Sequence, residues 1–261
     1  MRMAIVYPRR VMPLGIRTAG QTHVEHAAAL APADFFARYY DTHTPVLLEG
    51  FTRTWPAFHK WCPGYFAARF GDVIVEVAES RSNGVRPPGG WQTMRLAELA
   101  ARMERETDAS VYLVAQGHAL AHPGLAALAS DVVLDERFFG LGVDFGTLGL
   151  WLGPRHAVTP LHWDKTATVL AQVHGEKRVQ LVSPVHTDML YTRSGGYSEV
   201  DPDRPDAAQA WPLFADAPVQ TITLKAGNAL FLPPRWWHHV RSLSASASVS
   251  IGRFAGNRDG T

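Results

Sequence analysis

Residues 157–184 read AVTPLHWDKTATVLAQVHGEKRVQLVSP, and their texture decides the fold class. Two runs rich in Val, Leu and Thr, ATVLAQVH and KRVQLVSP, meet near His174 and Gly175, a turn signal between strands. LGLWLG precedes them. VQTITLKAG, NALFLPP, WWHHVRSL and ASVSIGRF follow, each short and each closed by turn residues. Short β runs in such succession predict an antiparallel sandwich or barrel from about residue 148 onward.

Upstream the texture is mixed. LAPADFFARYY (30–40) predicts a helix opened by Pro and Asp, and TPVLLEG (44–50) a short buried strand. Residues 55–72 read as a Trp-rich turn and a short helix ending at Gly71, residues 73–79 as a strand, and 80–90 as a Gly/Pro loop. In 93–106, Met94, Leu96, Leu99 and Met103 recur with helical spacing. SVYLVAQ (110–116) reads as a strand. The reading is a mainly β protein with α+β additions. A mixed helical region over 1–110 packs on a β core over 111–261, as one structural unit. The polar insertion YTRSGGYSEVDPDRPDAAQAWPLFA (191–215) has the length of a functional lid or binding loop.

Composition narrows the function classes. The chain has 261 residues, with 25 Lys and Arg against 24 Asp and Glu. That balance gives no global pull toward nucleic acid or a membrane surface. Cys62 is the sole cysteine, so neither an internal disulfide nor a zinc–thiolate cluster can form. No apolar run is long enough for a secretory leader or a membrane span, and the expectation is a soluble, cytoplasmic protein. Oligomeric state is not legible.

The chemistry lies in the same stretch. On a strand, His162 and Asp164 project to one face and Trp163 to the other. An imidazole and a carboxylate suit a first-row divalent metal, but His-x-Asp alone is also an ordinary polar pair. A third ligand is on offer in GNALFLPPRWWHHVRSL (227–243), where His238 and His239 face opposite ways, so that one of them can join the pair. Two histidines and a carboxylate form a facial triad with open positions, suited to iron(II), a bidentate keto acid and dioxygen. Lys177 shares strand parity with Val179 and Leu181. If that face looks inward, the buried ammonium needs an anion.

At this point the motifs resemble a known family. AVTPLHWDKTATVLAQVHGEKRVQLVSP and AGNALFLPPRWWHHVRSLSASASVSIGRF (226–254) are similar, in order, spacing and flanks, to the cupin-like JmjC hydroxylases. These are iron(II)- and 2-oxoglutarate-dependent oxygenases on a double-stranded β-helix, or jelly roll. PVLLEGFTRTWPAFHKW (45–61), VYLVAQ and GGYSEVDPDRPD extend the likeness over about residues 30–254. The resemblance implies that His162, Asp164 and His238 hold iron, and it selects His238 over His239. It implies that Lys177, Thr159 and Tyr112 bind the distal carboxylate of 2-oxoglutarate, a convergence of donors that suits an anion. Thr168 stands where the family usually has Asn, and Ser250 where Asn or Ser occurs; both are expected at the cosubstrate. Trp151 and Glu76 resemble an arginine-hydroxylating branch, in which a carboxylate opposite an aromatic plane would hold a guanidinium. Trp163 is expected in the substrate wall.

The implied activity is hydroxylation of an amino-acid side chain of a protein or peptide, arginine included, with O2 as oxidant. Alternatives are a tRNA-base or small-molecule hydroxylase of the same chemistry, a non-catalytic peptide-binding module on the same fold, and a cupin using another metal. The absence of a basic stripe argues against RNA.

Overall fold

The computed structural model of the chain describes residues 23–81, 91–105, 109–140, 142, 144–193 and 196–255. Thirteen strands are found among them: β1 (Glu25–Ala28), β2 (Val46–Glu49), β3 (Ile74–Glu79), β4 (Gln92–Arg95), β5 (Val111–Tyr112), β6 (Gly149–Gly153), β7 (Val158–His162), β8 (Thr168–His174), β9 (Glu176–Val182), β10 (Gln220–Lys225), β11 (Ala229–Leu232), β12 (Trp237–Ser242) and β13 (Ser246–Ile251). The last eight form a jelly roll. One sheet carries the order β1-β2-β11-β8-β13-β6, the facing one β10-β9-β12-β7, and β4-β3-β5 make a small third sheet.

The chain changes sheet between β8 and β9 at Gly175. Its φ is +70°, and a Cβ there would lie 2.0 Å from the Ala245 carbonyl oxygen, so only glycine turns this corner. The sequence expectation of an all-antiparallel β half is met over β6–β13. The sheets extend further upstream, because β2 pairs antiparallel with β11. A division at residue 110 therefore cuts through the larger sheet, with β1 and β2 on one side of it and β11, β8, β13 and β6 on the other.

The main core lies on the outer side of that larger sheet. Phe35, Trp55, Trp61 and Phe66 from the N-terminal helices bury against Val169, Ala171, Phe231 and Val249. Buried Asp131 ties this layer down. It accepts from Lys60 Nζ (2.6 Å), Trp61 Nε1 (3.0 Å) and Tyr65 Oη (3.0 Å). Burial alone would raise its carboxyl, but these donors hold it below the ordinary range.

Two upstream elements differ from the sequence reading. Residues 92–95 pair with β3, and the helix begins only at Leu96. The pairing takes the backbone donors that a helical start would leave open, so the apolar period of Leu96, Leu99 and Met103 governs a shorter helix. The strand expected over 110–116 stops at Tyr112 and gives way to a 3₁₀ turn at Ala115–Gly117. From residue 82, the loop expected at 80–90 lies outside the described residues.

Candidate metal and cosubstrate centre

β7 and β12 are neighbours, with His162 directly opposite His238. Their ring centroids are 4.1 Å apart. β7 ends at His162, so Asp164 is not a strand residue as the sequence reading had it. The chain bends just beyond it, at Lys165–Thr166, and the Arg235 N–H donates to the Asp164 carbonyl (2.8 Å), fastening that turn to the approach to β12. The Asp164 carboxylate then lies 4.0 Å from His162 Nε2 and 3.6 Å from His238 Nε2.

The ligand atoms of His162, Asp164 and His238 thus converge within 4.8 Å of one another. Both histidines are oriented alike. His162 Nδ1 donates to the Pro160 carbonyl (2.8 Å) and His238 Nδ1 to the Trp236 carbonyl (2.9 Å). Each Nε2 lone pair is left for a metal, the usual way a backbone acceptor fixes a ligating tautomer. Burial first, and then the neighbouring His238, lower the His162 pKa to about 4, while Asp164 opposes the shift. The imidazole is therefore neutral, as a ligand must be.

The triad opens into a chamber between the two sheets. Thr159, His238 and Val240 line one wall, Trp151, Thr168, Leu170 and Ser250 the other, with Lys177 on its floor. Lys177 is 6% exposed. Its Nζ donates to Ser248 Oγ at 2.6 Å and lies 5.8 Å from the centre of the Trp151 ring. No carboxylate pairs with it among the described residues, and burial pushes its pKa down to about 7.

A buried amine supplied with a hydroxyl and an aromatic face but no anion fits the carboxylate of a bound ligand. Tyr112 Oη and Thr159 Oγ1 are 3.2 Å apart, and the Tyr112 ring stacks on Trp151. Ser250 Oγ accepts from Trp151 Nε1 (3.0 Å). The residues present therefore fit both a divalent metal with open positions and an acidic cosubstrate.

The remaining expected residues lie elsewhere. Glu76 stands on β3 in the small sheet and does not line the chamber, whereas Trp151 does. Trp163 packs edge-on to Trp237, under the Arg235 guanidinium. The insertion after β9 covers the outer face of the four-stranded sheet, where Leu190, Val200 and Trp211 meet Leu161, Val182 and Trp237. Sequence reasoning missed Ser248, which accepts from Lys177, Gln116, which lines the chamber, and Tyr197, whose ring lies against His162. Ser248 was discoverable, since it shares strand parity with Ser250; the other two sit on irregular backbone that carries no periodicity.

His239 points away from the chamber, toward Asp201 and Asp203. That second cluster is an ionic latch. Asp203 pairs with both Arg178 and Arg241, and Asp201 with Arg81. Three guanidinium groups against two carboxylates leave no net negative charge to attract a divalent cation.

The cupin-like domain family matches residues 32–254. Similar curated proteins include Jumonji C domain-containing protein 5 of Drosophila melanogaster, 30% identical over 84% of this chain and 56% of the relative. Lysine-specific demethylase 8 of Danio rerio is 32% identical over 83% of this chain and 55% of the relative. The bifunctional peptidase and (3S)-lysyl hydroxylase JMJD7 of Homo sapiens is 28% identical over 84% and 80%. The chain spans about half the length of the first two relatives. A match running through the β core, both metal-bearing strands and most of the N-terminal layer places the chain by sequence as well as by geometry: it belongs to the cupin-like domain family, alongside JmjC-domain proteins.

Proposed function

We propose that this protein is an iron(II)- and 2-oxoglutarate-dependent oxygenase that hydroxylates an amino-acid side chain of a protein or peptide. The observation that carries the reading is Lys177, a buried amine without a carboxylate partner in the same chamber as the His162–Asp164–His238 triad. A metal triad alone is compatible with many reactions. A triad beside an anion seat selects a dicarboxylate cosubstrate.

When bound, iron(II) with 2-oxoglutarate supplies the activation of O2 for hydroxyl insertion. The protein's part is positional. His162 and His238 present their Nε2 atoms, and Asp164 adds a carboxylate from the more exposed side. Lys177, with Thr159 and Tyr112 nearby, orients the distal carboxylate. Trp151, Leu170, Leu232 and Val240 give the chamber apolar walls that exclude water from the reacting end.

An amino-acid side chain as substrate is supported by the likeness to JMJD7, whose name describes a lysyl hydroxylase. The near balance of charges supports peptide over nucleic acid. No helix among the described residues is long and apolar enough to cross a membrane. A cytoplasmic location is part of the proposal.

The test is anaerobic titration of iron(II) into the protein with 2-oxoglutarate. A metal-to-ligand charge-transfer band and slow substrate-independent succinate release are expected, and His162→Ala should abolish both. Wild-type protein showing neither would sink the assignment.

A further inference from the structure

His162 is held at one edge by the Pro160 carbonyl. One hydrogen bond leaves a ring free to tilt about it, so the plane of the imidazole must be set by what covers its two faces. His238, opposite it on β12, flanks one side, its ring tilted by 56° with centroids 4.1 Å apart. Tyr197, from the long insertion, covers the other. Its ring centroid is 5.3 Å from that of His162 and the two planes are 15° apart.

Tyr197 is placed there by the backbone. It forms an antiparallel bridge with His162. The Trp163 N–H donates to the Gly196 carbonyl (3.0 Å) and the Ser198 N–H to the Leu161 carbonyl (2.9 Å), so Gly196–Ser198 prolong the four-stranded sheet beyond β7. In an antiparallel pair, directly opposed side chains share a face, which is why Tyr197 lands on the metal side. Gly196 permits the approach: its φ is +82°, and a Cβ would lie 3.2 Å from both the Trp163 indole and its carbonyl oxygen. A few residues on, Asp201 and Asp203 lock the same segment to Arg81, Arg178 and Arg241.

We propose that Tyr197 is a positioning residue of the metal centre: its ring face clamps the His162 imidazole in ligating orientation and links the seating of the 191–215 insertion to metal affinity. This rests on the metal reading above, so the test uses a metal alone, without cosubstrate or turnover.

Cobalt(II) is titrated into the whole chain, and its visible ligand-field absorption gives both affinity and geometry. Tyr197→Phe keeps the ring and should bind within about twofold of wild type. Tyr197→Leu keeps apolar bulk but loses the flat face; a loss of about 10-fold or more is expected, the range seen when groups that orient a ligand are removed, with an altered band shape. Gly196→Ala, which pushes the segment off Trp163 without altering the Tyr197 side chain itself, should weaken binding in the same direction. It serves if the Leu variant does not fold. The clamp is overturned if folded Tyr197→Leu or Gly196→Ala binds cobalt(II) as wild type does, or if Tyr197→Phe loses as much as Tyr197→Leu. Wild-type protein that takes up no cobalt(II) would overturn the metal centre itself, and the clamp with it.

Discussion

Thr159 and His162 lie three residues apart on β7, yet both side chains enter the chamber. On a regular strand an odd spacing sends them to opposite faces. The pairing with β12 explains the exception. His238 is opposite His162 and Val240 opposite Thr159, so three steps on β7 match two on β12. Pro160 and Leu161 together oppose one residue, a β-bulge. Proline is at home there because it has no N–H to give the ladder, and its carbonyl takes His162 Nδ1. One bulge thus brings the His162 imidazole and the Thr159 hydroxyl to the same side.

Asp164 is the ligand that can be removed with least harm to the fold, because its side chain is 48% exposed. Asp164→Ala should abolish measurable iron(II) or cobalt(II) binding while moving the melting temperature of the metal-free protein by no more than about 2 °C, as surface substitutions do. A metal titration and a thermal melt on the same sample check both halves.

If Lys177 seats the cosubstrate as proposed, binding should be pH-dependent. In the free protein burial lowers its pKa to about 7, so at pH 8 the amine is mostly neutral. A carboxylate beside it favours the ammonium and raises that pKa, so binding takes up a proton. Affinity for 2-oxoglutarate should therefore fall as pH rises above about 7. Calorimetry at pH 8 should show an enthalpy that varies with buffer ionisation heat, with up to one proton bound. Lys177→Met should lose both the buffer dependence and most of the affinity.

Thr168 tests the departure from the family pattern. It lines the chamber, and Thr168→Val keeps its shape without the hydroxyl. If that hydroxyl bonds the cosubstrate directly or through water, the 2-oxoglutarate dissociation constant should rise by about 2- to 10-fold, the worth of one hydrogen bond. An unchanged constant would assign Thr168 to packing.

The latch at Asp203 should matter to stability. Its carboxylate is 4% exposed and serves Arg178 and Arg241, themselves 31% and 25% exposed. Asp203→Ala leaves two half-buried guanidinium groups without a counter-charge. A cost of about 2–3 kcal/mol is expected, below the fully buried limit, and a fall in melting temperature of about 5–10 °C.

Acid should destabilise the metal-free protein. Burial is the main cause that holds His162 and His239 at about 4. The unfolded chain binds these two protons near pH 6.5, the folded chain only near pH 4. Between those values the unfolded state carries more protons, so stability rises with pH, by up to about 1.4 kcal/mol per pH unit for each group. Urea melts from pH 4 to 7 should show this slope, flattening above about 6.5.

The jelly roll and the residues that converge at the centre were largely legible in the sequence, with the likeness to the cupin-like JmjC hydroxylases choosing His238 over His239. Short β-like runs with turn residues at each end, following one another from LGLWLG to ASVSIGRF, bury their apolar sides by packing as antiparallel sheets, and so the β core was legible from that succession. His162, Asp164, His238 and Lys177 were legible for a related reason. His162, His238 and Lys177 lie on strands, where parity says which way a side chain points; Asp164, just past β7, was legible from motif order alone.

Tertiary structure decided what parity cannot reach. Asp164 converges through a turn rather than along a strand, Thr159 through a bulge, and Tyr197 through a bridge spanning 35 residues of chain. Glu76, placed by likeness in one pocket with Trp151, stands on a different sheet. The physical reason is common to all four. Local pattern fixes the face a residue presents within its own element. Which elements meet, and in what register, is fixed by pairing and burial between segments distant in the chain.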